Sequence, residues 1–197
     1  MSRPSAVDLP DLPDLLELGC GSSKLAGAWG LDALPLPGVD QVHDLNRLPW
    51  PLPSNHFGWV RAMDVLEHLD DFVGAVRECH RVLRPGGRLT VQMPFAGSAA
   101  HLTDPTHRRG ATSRTMDYFV QGAMYNEKYH YTEPLFRLDG FRYVREIAVP
   151  PPLGWLVRAL DDRLVPWAMR HNEAYEVYLS GLYPMHAVVF ECTKLGG

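Results

Sequence analysis

His101, Asp104 and His107 stand three residues apart in HLTDPTHRR, with Arg108 and Arg109 directly after them and Arg114 five residues further on. Imidazole ordinarily titrates near neutrality, so His101 and His107 are candidate general bases. Guanidinium groups grip carboxylates and phosphates through paired hydrogen bonds. Arg108, Arg109 and Arg114 are therefore candidate anchors for an anionic substrate group, with His68 and Asp104 as further substrate contacts. Two imidazoles and a carboxylate also make a metal-ligand set. Pro105 prevents the regular helix that would align them, and the reading taken is that no metal binds.

A second chemical group follows the apolar run Leu15–Leu18, in Glu17-Leu18-Gly19-Cys20-Gly21-Ser22-Ser23. Glycines placed directly after a strand let the backbone approach a ligand and free N–H groups to bind it. ELGCGSS is followed in order by GLD at Gly30–Asp32, DLNRLPWPLPSNHFGWV, MDVLEHL and RVLRPGGRLTVQMP, over roughly Leu15 to Pro94. This succession resembles the class I S-adenosylmethionine-dependent methyltransferase family, of the type acting on small molecules.

The resemblance implies S-adenosyl-L-methionine as cofactor. It places Glu17 near the amino end of the cofactor's methionine part, Gly19, Cys20 and Gly21 in the loop beneath it, and Asp32 on the ribose hydroxyls. A carboxylate can accept from both hydroxyls at once. Asp44 with Leu45 falls beside the adenine, and Asp64 opens a segment passing close to the cofactor. Two departures stand out. Gly58 replaces the acidic residue usual in the FDxV pattern, and the segments before and after Asp32 are shorter than the family's usual helices. Glu67 is read as capping or packing.

The implied activity is methyl transfer to oxygen, nitrogen or carbon of a small-molecule acceptor, an in-line displacement in which His101 or His107 takes any proton released. Rival readings are an enzyme that uses the sulfonium only as a charge, and a cofactor-binding module without chemistry. A nicotinamide oxidoreductase fits worse, because GCGSSK lacks the third glycine of GxGxxG.

These residues need a scaffold that presents strand ends side by side. Short apolar runs at Leu15–Leu18, 29–32, 39–43, 59–63 and 88–93 read as strands, and a helix after Asp70 or Asp71 carries Phe72, Val76, Cys79 and Leu83 to a stop at Pro85-Gly86-Gly87. A helix over 113–124, β-like stretches at 141–149 and 186–193, and helical periodicity from 153 to 183 interrupted by Pro166 complete the pattern. The fold expected is α/β: a Rossmann-like, doubly wound, mainly parallel sheet with one antiparallel strand near the C-terminus, binding its ligand at the carboxyl edge. Residues 1–197 read as one domain, with an extended tail over 1–14 and a substrate-side segment over 95–140. Tyr118, Phe119, Tyr125, Tyr129, His130 and Tyr131 read as core or lid packing, and Trp155, Leu156, Leu160 and Trp167 as a helix that covers the pocket or makes a homodimer contact.

Composition narrows the partners. Hydrophobic residues make up 46% of the 197 and the formal net charge is -4, which argues for a packed core and against a nucleic-acid partner. Three cysteines at wide spacing with no CxxC pair indicate neither a disulfide framework nor a zinc knuckle, and point to a cytoplasmic setting. No apolar stretch approaches bilayer length, so no membrane partner is expected.

Overall fold

A computed structural model describes residues 12–145 and 153–196. The tail expected over 1–14 lies outside them up to residue 11, as does the 146–149 part of the expected strand at 141–149. The strands are β1 (Leu15–Leu18), β2 (Ala28–Asp32), β3 (Gln41–Val42), β4 (Phe57–Met63), β5 (Leu83–Pro94), β6 (Phe136–Val144) and β7 (Ala187–Lys194). They form one seven-stranded sheet in the order β3-β2-β1-β4-β5-β7-β6. The first five pair in parallel, and β7 runs antiparallel to both of its neighbours. One strand thus opposes the rest, in the Rossmann-like arrangement expected.

One face of the central strands is fully buried, with Leu16, Val60, Ala62, Leu89, Val91 and Met93 showing no exposure, whereas Trp59, Arg61 and Gln92 on the opposite face are only half-buried. Burying such side chains is the main favourable contribution to folding. Between β1 and β2, and between β2 and β3, the chain makes only turns and bends, so the ends of these strands stay open.

Helix α1 (Phe72–Val82) starts at Asp71, whose side chain accepts the Gly74 N–H at 2.7 Å, and its inner face carries Ala75, Val76, Cys79 and Val82. It stops before Pro85-Gly86-Gly87, contrary to expectation. Leu83 already pairs with Phe57 as the first residue of β5, and the Lys194 ammonium takes the carbonyls of His80 and Leu83. The last strand, and not a glycine turn, satisfies the helix end.

The helix expected over 113–124 is replaced by a 3-10 turn at Thr115–Phe119. Helix α2 (Ala99–Thr103) precedes that turn and α3 (Met124–Tyr129) follows it. Helix α4 (Gly154–Arg170) continues through Pro166 where an interruption was expected. No helix among the described residues is long and apolar enough to cross a membrane.

His80 packs edge-on against Phe136, with ring centroids 5.5 Å apart. Burial and the nearby Lys194 ammonium push its imidazole down to about 4. The unfolded chain takes up this proton below its ordinary value of 6.5, whereas the folded chain resists until about 4. Stability therefore declines as pH falls through that window. Urea unfolding at pH 7 and pH 5 is expected to show a smaller acid-induced loss for His80→Phe than for the wild type. Identical losses would remove His80 from the acid response.

Candidate active site

The carboxyl ends of β1, β2 and β4, with the loop after β3, open onto one cavity of about 260 Å³. Gly19, Asp32, Asp44, Leu45, Asp64 and His68 line it, so six residues singled out from the sequence meet at the sheet edge expected. Ala33, Asn46, Val65 and Leu69 also line it, and the sequence reading missed them. Each immediately follows one of the six, which is the only signal the sequence holds for them.

Backbone conformation shapes the first loop. Gly19 sits at φ 57°, and a Cβ there would fall 2.4 Å from Val65 Cγ2, so only glycine lets the loop lie against Val65. Asp32 holds the loop from the side. Its Oδ2 accepts the Gly21 N–H at 2.8 Å and its Oδ1 accepts the Leu34 N–H at 2.9 Å. Each oxygen keeps a lone pair for a ligand.

Glu17, Cys20 and Gly21 do not line the cavity. Buried Glu17 forms an ion pair with Arg61 and accepts the Leu25 N–H at 2.6 Å, which pins the far end of the loop. This position differs from the contact with the cofactor's amino end that the resemblance implied. The Cys20 thiol is buried, and desolvation together with the Asp32 and Glu17 carboxylates raises its pKa.

Two further features of the resemblance acquire physical roles. Trp50 is buried within the LPWP block; its N–H reaches Glu78 at 2.7 Å and its indole N–H reaches the Leu45 carbonyl at 3.1 Å. Arg81 closes the arrangement by donating to the Trp50 and Leu52 carbonyls while pairing with Glu78. The block therefore ties the cavity residue Leu45 to α1. At Gly58, a Cβ would lie 2.3 Å from Asp14 Oδ2, and the Asp14 carboxylate pairs there with Arg84. Asp14 supplies from β1's approach the charge absent at Gly58.

A row of imidazoles leaves the cavity toward the segment after β5. The His68 and His107 ring centroids are 4.7 Å apart, and His101, on α2, lies parallel to His107 at 5.9 Å. Glu67 lies against this row with no exposure, its Oε1 3.9 Å from His107 Nε2. Neither carboxylate oxygen has a hydrogen-bond partner, and burial pushes the group up to about 8. Of the capping and packing roles open to Glu67 in the sequence, the structure shows packing, since no backbone N–H bonds to its carboxylate. Its only sequence signal is an acidic residue closing the apolar run Val65-Leu66.

The three arginines do not form the anion-gripping cluster expected of them. Arg109 donates to the carbonyls of Leu66, Leu69 and Asp70 and lies over the Phe72 ring. Arg108 pairs with Asp70 at 2.6 Å. Arg114 pairs with Asp117 and Glu173 in a second cavity of about 470 Å³, walled also by Tyr118 and Tyr125. Each guanidinium is already matched by carbonyls or carboxylates of its own surroundings. Asp104 accepts from the backbone and the hydroxyl of Thr106.

The strand order and open carboxyl edge define a Rossmann-like methyltransferase fold. A family described as a methyltransferase domain matches residues 34–91. The chain is 31% identical over 131 residues to a probable S-adenosylmethionine-dependent methyltransferase of Mycolicibacterium smegmatis, covering 56% of this chain and 51% of that protein. It is 28% identical over 97 residues to the ubiquinone biosynthesis O-methyltransferase of Pseudomonas syringae pv. tomato, covering 38% of this chain and 41% of that protein. The chain thus spans about half or less of the length of these curated relatives. Its fold is similar to that of a SAM-dependent methyltransferase from Archaeoglobus fulgidus, with TM-score 0.59, 16% identity and coverage of 93% of this chain and 87% of that one. These likenesses support a class I S-adenosylmethionine-dependent methyltransferase, with S-adenosyl-L-methionine as the cofactor.

Proposed function

We propose that this chain, as one methyltransferase domain, moves a methyl group from S-adenosylmethionine to a small-molecule acceptor, with an ionisable oxygen the acceptor atom best suited to the site. The carrying observation is the charge of the cavity. Asp32, Asp44 and Asp64 line it, and no Lys or Arg does among the described residues. S-adenosylmethionine carries a sulfonium charge and is rich in donors: an ammonium, two ribose hydroxyls and an adenine amine. A dinucleotide would instead set its pyrophosphate against three carboxylates.

Bound there, the cofactor supplies a methyl carbon activated by its sulfonium. The protein's own part is positioning and proton removal. Asp32 is already fixed by two backbone amides to receive the ribose, and the acceptor's proton goes to His107 or His101, the imidazoles reached through His68 at the cavity wall. The name of the Pseudomonas syringae relative supports an oxygen acceptor.

Incubation with methyl-labelled cofactor and a panel of phenolic, hydroxy and amino acceptors is expected to move label into product. The double variant His101→Ala/His107→Ala should slow that transfer by about 100-fold or more at saturating cofactor. Unchanged turnover would remove the base assignment. Label retained on the cofactor with every acceptor would favour use of the sulfonium as a charge alone.

A further inference from the structure

We propose that Glu67, His68 and His107 bind a divalent transition-metal ion at the wall of the cofactor cavity. One ligand atom from each of the three lies within 4.8 Å of the others. The residues come from separate segments, Glu67 and His68 from the turn after β4 and His107 from the turn after α2, so an ion would join the two loops flanking the acceptor side of the site.

The hydrogen bonds around the rings fix their tautomers in the state a metal needs. His107 Nδ1 stands 3.0 Å from the His101 carbonyl oxygen, which only accepts, so Nδ1 carries the hydrogen and Nε2 presents a lone pair. His68 Nδ1 stands 2.8 Å from Thr106 Oγ1. The Thr106 hydroxyl gives its hydrogen to Asp104 Oδ1 at 2.6 Å, so it accepts from His68, and Nε2 of His68 is again the free nitrogen. Metal-bound histidines characteristically donate their second N–H to a carbonyl or carboxylate in this way, here directly or through one hydroxyl.

Glu67 supplies the independent sign of a missing cation. It is fully buried with both oxygens unpartnered, and a buried carboxylate needs a charge or donors to hold it there. The adjacent guanidinium of Arg109 is spent on three backbone carbonyls. Two imidazoles and one carboxylate suit zinc, cobalt, manganese or iron in the divalent state, whereas calcium and magnesium prefer more oxygen ligands. This set differs from the one considered in the sequence. Asp104 and His101 move to supporting positions, one through Thr106 and the other through its backbone carbonyl.

Three protein ligands leave coordination positions open, and an ion there would lower the pKa of an acceptor hydroxyl; because it occupies the His107 Nε2 lone pair, His101 is the imidazole left to take the proton in the metal-bound protein. That consequence rests on the methyl-transfer reading; ion binding does not. The test is titration of chelator-stripped, tag-free protein with Co²⁺, followed by its visible absorption and by displacement with Zn²⁺. One equivalent should bind at micromolar concentration or tighter. Glu67→Gln and His107→Gln should each weaken binding by about 100-fold, and Thr106→Val by about 10-fold or more, through loss of the His68 support. His101→Ala keeps the carbonyl and should leave cobalt affinity near the wild-type value. Calorimetric binding of S-adenosylhomocysteine reports whether each variant is folded; if His107→Gln is not, the near-isosteric Glu67→Gln decides. No stoichiometric cobalt in the wild type, or wild-type affinity in Glu67→Gln, overturns the proposal and leaves Glu67 as a protonated carboxyl beside His107. Cobalt binding without S-adenosylhomocysteine binding would keep the metal site and remove the methyltransferase reading.

Discussion

Asp32→Asn is expected to lower affinity for S-adenosylhomocysteine by about 100-fold, equivalent to about 3 kcal/mol. The Asp32 carboxylate borders the cavity with both oxygens already set by the Gly21 and Leu34 amides, so it meets the ribose without reorganising. Hydrogen bonds to a charged acceptor contribute about 1.5–3 kcal/mol each, and two hydroxyls are in question. Asparagine loses the charge and turns an NH2 group toward one of the two backbone N–H donors, so the Gly21 loop loosens as well. Isothermal titration calorimetry reads the difference. Affinity within about threefold of wild type would mean that Asp32 serves the loop and not the ligand.

Arg61→Ala is expected to cost about 3 kcal/mol of folding stability, measured by urea unfolding at neutral pH. Removing the guanidinium leaves Glu17, only 4% exposed, with the Leu25 amide as its remaining partner. The Arg61 side chain keeps 26% of its surface in water, which places the expected loss at the low end for breaking a buried pair. The double variant Arg61→Met/Glu17→Gln removes both charges and should recover most of the loss. A loss below about 0.5 kcal/mol in the single variant would show that water replaces Arg61 at Glu17.

The residues that line the cavity at the carboxyl edge were largely legible in the sequence because local chemistry determines where they fall. A strand end followed by Gly19, and acidic residues at the ends of the next strands, converge wherever a parallel sheet brings those ends together, whereas Glu17, Cys20 and Gly21 stay outside the cavity. The sequence also indicated the short connections beside Asp32, which the structure shows as turns. What it hid were partnerships between distant residues. Nothing near Arg109 announces that its guanidinium will serve carbonyls some forty residues earlier in the chain. Asp14 compensating Gly58 is equally invisible, since the pair meets only when β1 and β4 align.

Helix boundaries failed for the same reason. Val82 ends α1 where Lys194, from the last strand, takes the carbonyls of His80 and Leu83, and Pro85-Gly86-Gly87 follows inside β5. For Glu67 the sequence leaves capping and packing open, and its burial, visible only in three dimensions, decides for packing and sets its carboxylate beside the imidazole row.

The most direct measurement is a crystal structure of the protein soaked with S-adenosylhomocysteine. The account predicts density in the cavity bordered by Gly19, Asp64 and Leu45, with both ribose hydroxyls on Asp32 and the sulfur facing the His68 side. An empty cavity at saturating ligand, or the ligand seated instead in the space beside Tyr118 and Arg114, would contradict it.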